Sequence, residues 1–239
     1  MRAAELCWSS AEFFKKETTM PAQRPIVTID GPSGVGKSSV SRVVAAKIHY
    51  TYLDTGAMYR GVGYYFFNLG IECEDEEQIA SRLGEIDLLL QPSTGLDDEV
   101  GVIVNGEDIS DRIRTPELSM IASKISALPS VRQFLTKMQR KIAGSGKFVA
   151  EGRDMGTVVF PDAAYKFFLD ATLEQRCRRR LNQMEHKGVS ADPRKTLEMI
   201  VERDKNDSER AVAPLKKAED ARYIDTSGLS LEDVCAALL

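Results

Sequence analysis

The residues Gly31, Gly36, Lys37 and Ser38 stand in the spacing GxxxxGK[ST] within the stretch GPSGVGKSS, residues 31–39. Glycines so placed let backbone N–H groups turn inward around phosphate oxygens. The lysine supplies charge to the β and γ phosphates of a nucleoside triphosphate, and the adjoining hydroxyl can ligate Mg²⁺. A nucleotide loop is therefore read over Gly31, Pro32, Ser33, Gly34, Val35, Gly36, Lys37, Ser38 and Ser39. Other residues have the chemistry of a second anion site. Arg60 follows Asp54-Thr55-Gly56 by one turn, Arg153 and Asp154 come just past KFVAEG (147–152), and Arg203, Asp207 and Arg210 recur at i, i+4 and i+7 as on one helix face. Arginine grips phosphate bidentately and stays charged at any physiological pH. Arg176, Arg179 and Arg180 crowd a third stretch, LEQRCRRRLNQMEHKG (173–188). Like charges so close are costly unless an anion lies between them, and a polyphosphate is such an anion.

These residues must be positioned by strands and helices. PIVTID (25–30) reads as a strand, and SSVSRVVAAKI (38–48) as a helix with Val40, Val43, Val44 and Ile48 on one face. TYLD (51–54) is a second strand, followed by a helix over TGAMYRGVGYYFFNLG that Gly70 ends. Residues 75–83 read as helix, 86–91 as strand, and 100–110 as a hairpin turning at Asn105-Gly106. Thr115-Pro116 starts a helix through Ala127, and Pro129 opens another that ends near Gly144. KFVAEG and YKFFLD (165–170) are strands of the buried kind. Thr172 with Gln175 predicts a capping box on a helix to about Lys187, and Asp192-Pro193 starts the next. ARYIDTS (221–227) is a last strand, and Ser230 caps a final helix. The alternation implies an α/β fold, a parallel sheet flanked by helices, with a small β-containing insert between Gly70 and about Gly144. Ligands should gather at the carboxyl ends of the strands.

Length and composition agree. The chain has 239 residues, 43% of them hydrophobic, enough for a sizeable core. No run is long enough to cross a bilayer and the N-terminus has no secretory pattern, so a soluble cytoplasmic protein is expected. Residues 1–24 lack core patterning and read as an extension, in which Met20 could be the start. Cys7, Cys73, Cys177 and Cys235 are isolated, which favours buried or idle thiols over a metal site. The net charge of −4 hides an asymmetry: Gly70–Asp111 holds thirteen acidic residues and one basic, Arg82, whereas Leu173–Arg222 holds thirteen basic and ten acidic. The anion-facing part lies late in the chain, but a nucleic-acid binder would carry a stronger basic excess. A GTPase is disfavoured because DKND (204–207) is not the guanine-reading NKxD and no DxxG follows TYLD.

IDGPSGVGKSS, LDTGAMYR, AEGRDMGTVVFPDA and ERDKNDSERAVAPL together closely resemble the bacterial cytidylate kinases, which are P-loop nucleoside monophosphate kinases. The resemblance covers about residues 25–239 and leaves 1–24 unmatched. It implies transfer of the γ phosphate of ATP to CMP or dCMP, in a core with a monophosphate-binding insert over about 56–144 and a short helical lid over about 173–192. Carried onto this sequence, the pyrimidine contacts fall on Ser123, Arg132 and Asp154, the sugar contacts on Tyr59, Arg203 and Asp207, and the acceptor-phosphate contacts on Thr55, Arg60, Arg153 and Arg210. The resemblance also sets the lid arginines Arg176, Arg179 and Arg180 toward ATP. Lys37, Arg153, Arg203 and Arg210 take the catalytic roles, with Mg²⁺ on Ser38. Glu151, at a strand end, reads either as an acid ordering water around that Mg²⁺ or as a buried structural acid. Cytosine presents an amino donor beside two acceptors, which Asp154 with Arg132 would match, and uracil would leave these groups unpaired. A monomer that binds neither nucleic acid nor membrane is expected. A kinase for UMP or dTMP would keep the loop and differ at Arg132 and Asp154, and a regulatory module would bind ATP without consuming it.

Overall fold

The computed structural model describes residues 25–91, 99–186 and 188–239, so the expectations for residues 1–24, Cys7 among them, and for a helix end at Lys187 lie outside the described residues. In chain order the elements are β1 (Ile26–Asp30), α1 (Lys37–Lys47), β2 (Thr51–Asp54), α2 (Thr55–Asn68), α3 (Glu76–Arg82), β3 (Leu88–Gln91), β4 (Gly101–Val104) and β5 (Glu107–Asp108). There follow α4 (Pro116–Ile125), α5 (Pro129–Ile142), β6 (Phe148–Gly152), β7 (Tyr165–Asp170), α6 (Leu173–His186), α7 (Pro193–Glu209), β8 (Arg222–Asp225) and α8 (Leu231–Leu238).

Five strands form one sheet in the order β2-β6-β1-β7-β8, and every pairing in it is parallel. Strand periodicity divides the core in two. Phe148 and Ala150 of β6 point to one face, where α2 brings Met58, Val62 and Phe66 and α5 brings Val131 and Leu135. Val149 points to the other, with Val27 and Ile29 of β1, Val40 and Val44 of α1, and Val234 and Leu238 of α8. All five residues of β6 are buried, as a strand covered on both faces requires. Ile29 is fully buried, so truncating it to alanine costs about 2–5 kcal/mol. β3, β4 and β5 make a separate three-stranded antiparallel sheet. Its tight turn is at Asn105 and Gly106, both at positive φ (51° and 84°), as the sequence predicts.

The helix starts follow their caps. Asp54 accepts from Ala57 N–H, Thr115 from Leu118 N–H and Asp192 from Arg194 and Lys195 N–H. Thr172 Oγ1 accepts from Gln175 N–H at 3.3 Å, while a reciprocal capping box forms at Ser230 and Asp233. Three expectations are corrected. The helix begun at Thr115 ends at Ile125 rather than Ala127, with Ser126 as its C-cap. The strand expected from residue 86 begins at Leu88, after a 3₁₀ turn over Leu83–Glu85. Arg210 is not on a helix face: α7 stops at Glu209, and Arg210 is extended (ψ 141°) where the chain turns toward Pro214. The sequence also gave no sign of the single π-helical turn Met155–Val159 that follows β6, a form frequent at functional sites.

Candidate active site

The nucleotide loop joins the carboxyl end of β1 to the first turn of α1, at one edge of a cleft of about 620 Å³. Gly31 is obligatory there by sterics: its φ is +148°, and a Cβ would lie 2.0 Å from the carbonyl oxygen of Leu169 in β7. Lys37 is buried and donates to the Pro32 carbonyl (2.6 Å). Burial, and then the charge of Arg153, hold its ammonium well below the ordinary lysine range. A group pushed so far toward neutrality gains most from an arriving anion.

At the ends of β2 and β6, Asp54 and Glu151 lie in register. Glu151 Oε1 accepts from Ser38 Oγ (2.7 Å) and from Tyr52 Oη (2.8 Å), while its buried Oε2 has no partner. Burial, and then Asp54, raise the Glu151 carboxyl above its usual range. A hydroxyl, two carboxylates and an orphaned buried oxygen suit Mg²⁺, which keeps waters and phosphates as ligands. Among the described residues no three His, Cys, Asp or Glu side chains gather into a metal cage, which this cation does not need. Thr55 Oγ1 donates to the Glu151 carbonyl (2.6 Å), and Arg60 pairs with Asp54 (3.2 Å).

The opposite wall carries the pyrimidine and sugar candidates. Arg132 of α5 and Asp154 form a buried ion pair, and Arg132 also donates to the Ser126 carbonyl (3.0 Å) with its guanidinium 5.8 Å from the Tyr59 ring centroid. Arg210 Nη2 is 3.5 Å from the other Asp154 oxygen, its Nη1 donates to Ser126 Oγ (2.8 Å) and its Nε to the Ala213 carbonyl (2.7 Å). Asp207 is the second hub, accepting from Ser123 Oγ (3.0 Å) and Arg153 Nε (2.7 Å), with Arg203 Nε at 4.0 Å. Burial opposes ionisation of Asp207, but Arg153 and Arg203 outweigh it and hold the carboxyl below its usual range. Arg203 is driven down to about 10 by burial and by Arg153, and its Nε has no hydrogen-bond partner. The structure thus brings Thr55, Tyr59, Arg60, Ser123, Arg132, Arg153, Asp154, Arg203, Asp207 and Arg210 to one cleft with the nucleotide loop.

Arg176 departs from expectation. It is buried, donating to the carbonyls of Ala171 (3.1 Å) and Ser33 (3.2 Å) and pairing with Asp204 (2.6 Å). Arg179 turns to the Val35 carbonyl (3.2 Å) and to Thr226. The clustered charges of α6 therefore need no bound anion: carbonyls and a carboxylate meet two of them, and Arg180, bonded to Gln183 (2.8 Å), remains on the cleft side. Sequence reasoning missed Asp54, Tyr52, Ser126, Asp204 and Asp30. Only Asp54 carried a local signal, a cap residue at a strand end before a helix. Asp30, the last residue of β1, is buried and accepts from the N–H groups of Met155 (2.9 Å) and Gly156 (2.8 Å).

A parallel sheet with a phosphate loop after its central strand, facing a second arginine-lined pocket in the same cleft, defines a P-loop kinase of small acceptors. The profile described as cytidylate kinase matches residues 27–239. The chain is 45% identical over 213 residues to the cytidylate kinase of Carboxydothermus hydrogenoformans, covering 89% of this chain and 95% of that one. It is also 45% identical over 215 residues to the cytidylate kinase of Methylococcus capsulatus, covering 90% and 95%. A bifunctional pantoate ligase/cytidylate kinase of Synechococcus elongatus is 46% identical over 218 residues, 90% of this chain but 41% of that longer one. The chain belongs to the cytidylate kinase family.

Proposed function

We propose that the protein transfers the γ-phosphoryl group of ATP to CMP and dCMP, giving CDP and dCDP. The observation that carries this reading is the buried Arg132–Asp154 pair, set in one cleft with the nucleotide loop. Asp154 offers a carboxylate to the cytosine amino group and Arg132 offers donors to its N3 and O2. Arg60, Arg153 and Arg210 clamp the acceptor phosphate, and Arg203 and Asp207 receive the sugar. The attacking oxygen is already ionised, so the site needs no general base. Lys37, Arg153, Arg203 and Arg210 offset the charge spread over the transferring group, and Arg179 and Arg180, the α6 arginines that line the cleft, border the ATP polyphosphate. Ser38 would ligate Mg²⁺, with Glu151 and Asp54 ordering its waters; bound there, the cation screens the β and γ phosphates. Residues 56–144 would act as the acceptor-binding insert and 173–192 as the lid, excluding water as both substrates bind. No helix of the described residues is long and apolar enough to cross a membrane, and we place the protein in the cytoplasm as a monomer.

The test is a coupled ADP-release assay across CMP, dCMP, UMP, dTMP and AMP. CMP and dCMP turnover well above the others is expected. Preference for UMP or dTMP would reassign the acceptor, and ATP binding without turnover on any of the five would reduce the protein to a nucleotide sensor.

A further inference from the structure

Among the described residues, Asp30 is the buried acid near the cleft that the proposed reaction does not use. It ends β1 directly before Gly31, so its backbone is continuous with the nucleotide loop. Its two carboxylate oxygens do not face the cleft's ligands. One takes the N–H of Met155 and the other the N–H of Gly156, the first two residues after Arg153 and Asp154. These are also the first residues of the π-helical turn, where N–H groups lack partners within the turn itself. The carboxylate thus caps that turn from across the sheet.

The approach is closely fitted. A Cβ on Gly156 would lie 3.0 Å from Thr28 Oγ1 and 3.4 Å from Asp30 Oδ2. Glycine at 156 is what allows the chain to descend onto β1. Asp154 itself has the unusual backbone φ −144°, ψ 24°, and its own side chain does not cap the turn. Two hydrogen bonds from the following N–H groups to Asp30, with those from Val158 and Val159 to the Asp154 carbonyl, therefore hold the direction in which Asp154 and Arg153 leave the backbone.

We propose that Asp30 is a positioning residue that sets the aim of Arg153 and Asp154 at the acceptor, and so ties acceptor recognition to the strand that carries the ATP loop. This rests on the reading of the protein as a CMP kinase. The bond network predicts an asymmetry between substrates. Loss of the Asp30 carboxylate releases the Arg153–Gly156 backbone, while Gly31 stays locked against Leu169 and Lys37 keeps its bond to Pro32. Damage should fall on CMP, and most on the discrimination that Asp154 provides.

The experiment compares wild type with Asp30→Asn and Gly156→Ala. The asparagine keeps one acceptor but turns an amide donor on a backbone N–H. The alanine leaves Asp30 intact and pushes Gly156 off it. Each should raise KM for CMP at least tenfold, change KM for ATP less than about threefold, and narrow the CMP over UMP ratio of kcat/KM. Amide hydrogen exchange at Met155 and Gly156, measured without substrate, should accelerate in both variants relative to β6. A wild type that does not phosphorylate CMP defeats the functional reading alone, since the exchange result stands apart from it. Equal KM increases for CMP and ATP, an unchanged CMP over UMP ratio, or exchange unchanged at Met155 and Gly156 in folded variants would overturn the role of Asp30. If Asp30→Asn does not fold, Gly156→Ala decides by the same readouts.

Discussion

At Asp154 one carboxylate oxygen is paired with Arg132 and the other lies 3.5 Å from Arg210, all three buried. Asp154 is the counter-charge of two arginines and, in the proposed function, also a hydrogen-bond acceptor for the base. Asp154→Asn should lower kcat/KM for CMP roughly tenfold to a hundredfold, since a charge-assisted bond is worth about 1.5–3 kcal/mol. UMP should lose less, because the new amide donor can meet uracil O4. The variant should also melt earlier, as breaking a buried pair costs about 3–5 kcal/mol. The diagnostic is thus the CMP over UMP ratio; parallel losses would mean that Asp154 serves only its arginines. Lys37 is the converse case. Burial and Arg153 already disfavour its charge, so Lys37→Ala should abolish turnover by at least about a hundredfold while the Tm holds or rises. A marked fall in Tm would show that the bond to Pro32 outweighs the buried cation.

Among the elements, β1 and α6 carry the consequences. Burial lifts the Asp30 carboxyl from 3.8 to about 7, against the two N–H bonds from Gly156 and Met155; Asp154 adds to the rise and Lys37 opposes it. The remaining charge near that contact, Lys166 of β7, is paired with Asp220 (2.8 Å). An acid with a raised folded value holds its proton more firmly in the folded protein. Its contribution to stability is therefore fullest below about pH 4 and is lost as pH rises through about 7, by about 4 kcal/mol. Asp30→Asn cannot titrate, so the stability of wild type relative to it should fall across that window in chemical denaturation at pH 5 and pH 8. A constant difference would place the Asp30 titration elsewhere. On α6, Arg176→Ala removes bonds to Ser33, Ala171 and Asp204 at once. It should lower the Tm and raise KM for both ATP and CMP, whereas a lid arginine alone would affect ATP.

How much of this was legible follows from distance along the chain. The loop is contiguous, so GPSGVGKSS shows its chemistry without a fold, and the caps at Thr115, Asp192 and Ser230 are equally local. Arg132 was reached only through resemblance, and Asp154 and Asp207, noticed beside their arginines, gained base and sugar roles only there, because their partners come from elements that sequence spacing cannot bring together. Asp30 gave no signal at all, its partners lying over a hundred residues away. For Arg176 the helical spacing defined a face but not what that face would meet. The early end of α7 escaped because Arg203, Asp207 and Arg210 keep helical spacing in sequence, while the chain leaves the helix at Arg210.

In the whole molecule, the nucleotide loop and the proposed acceptor site share one cleft whose walls are paired internally before any ligand arrives. Ligand binding should stabilise the fold by mass action: CMP or a non-hydrolysable ATP analogue at about a hundred times Kd adds about 2.7 kcal/mol. That corresponds to a rise in Tm of about 5–11 °C for a chain of this size. Differential scanning fluorimetry with each ligand alone, then both, measures it, and no shift with CMP would mean that the acceptor site is misassigned. The strand order has a consequence in time. β1 carries the ATP loop, yet both of its neighbours, β6 and β7, come more than a hundred residues later. Such non-local pairing makes assembly slow, because distant segments must meet before their contacts reward the closure. On the ribosome the loop is made before both strands that flank β1, and becomes competent only after them. Nascent chains stalled before residue 170 should fail to retain on ATP-agarose although the whole of GPSGVGKSS has emerged.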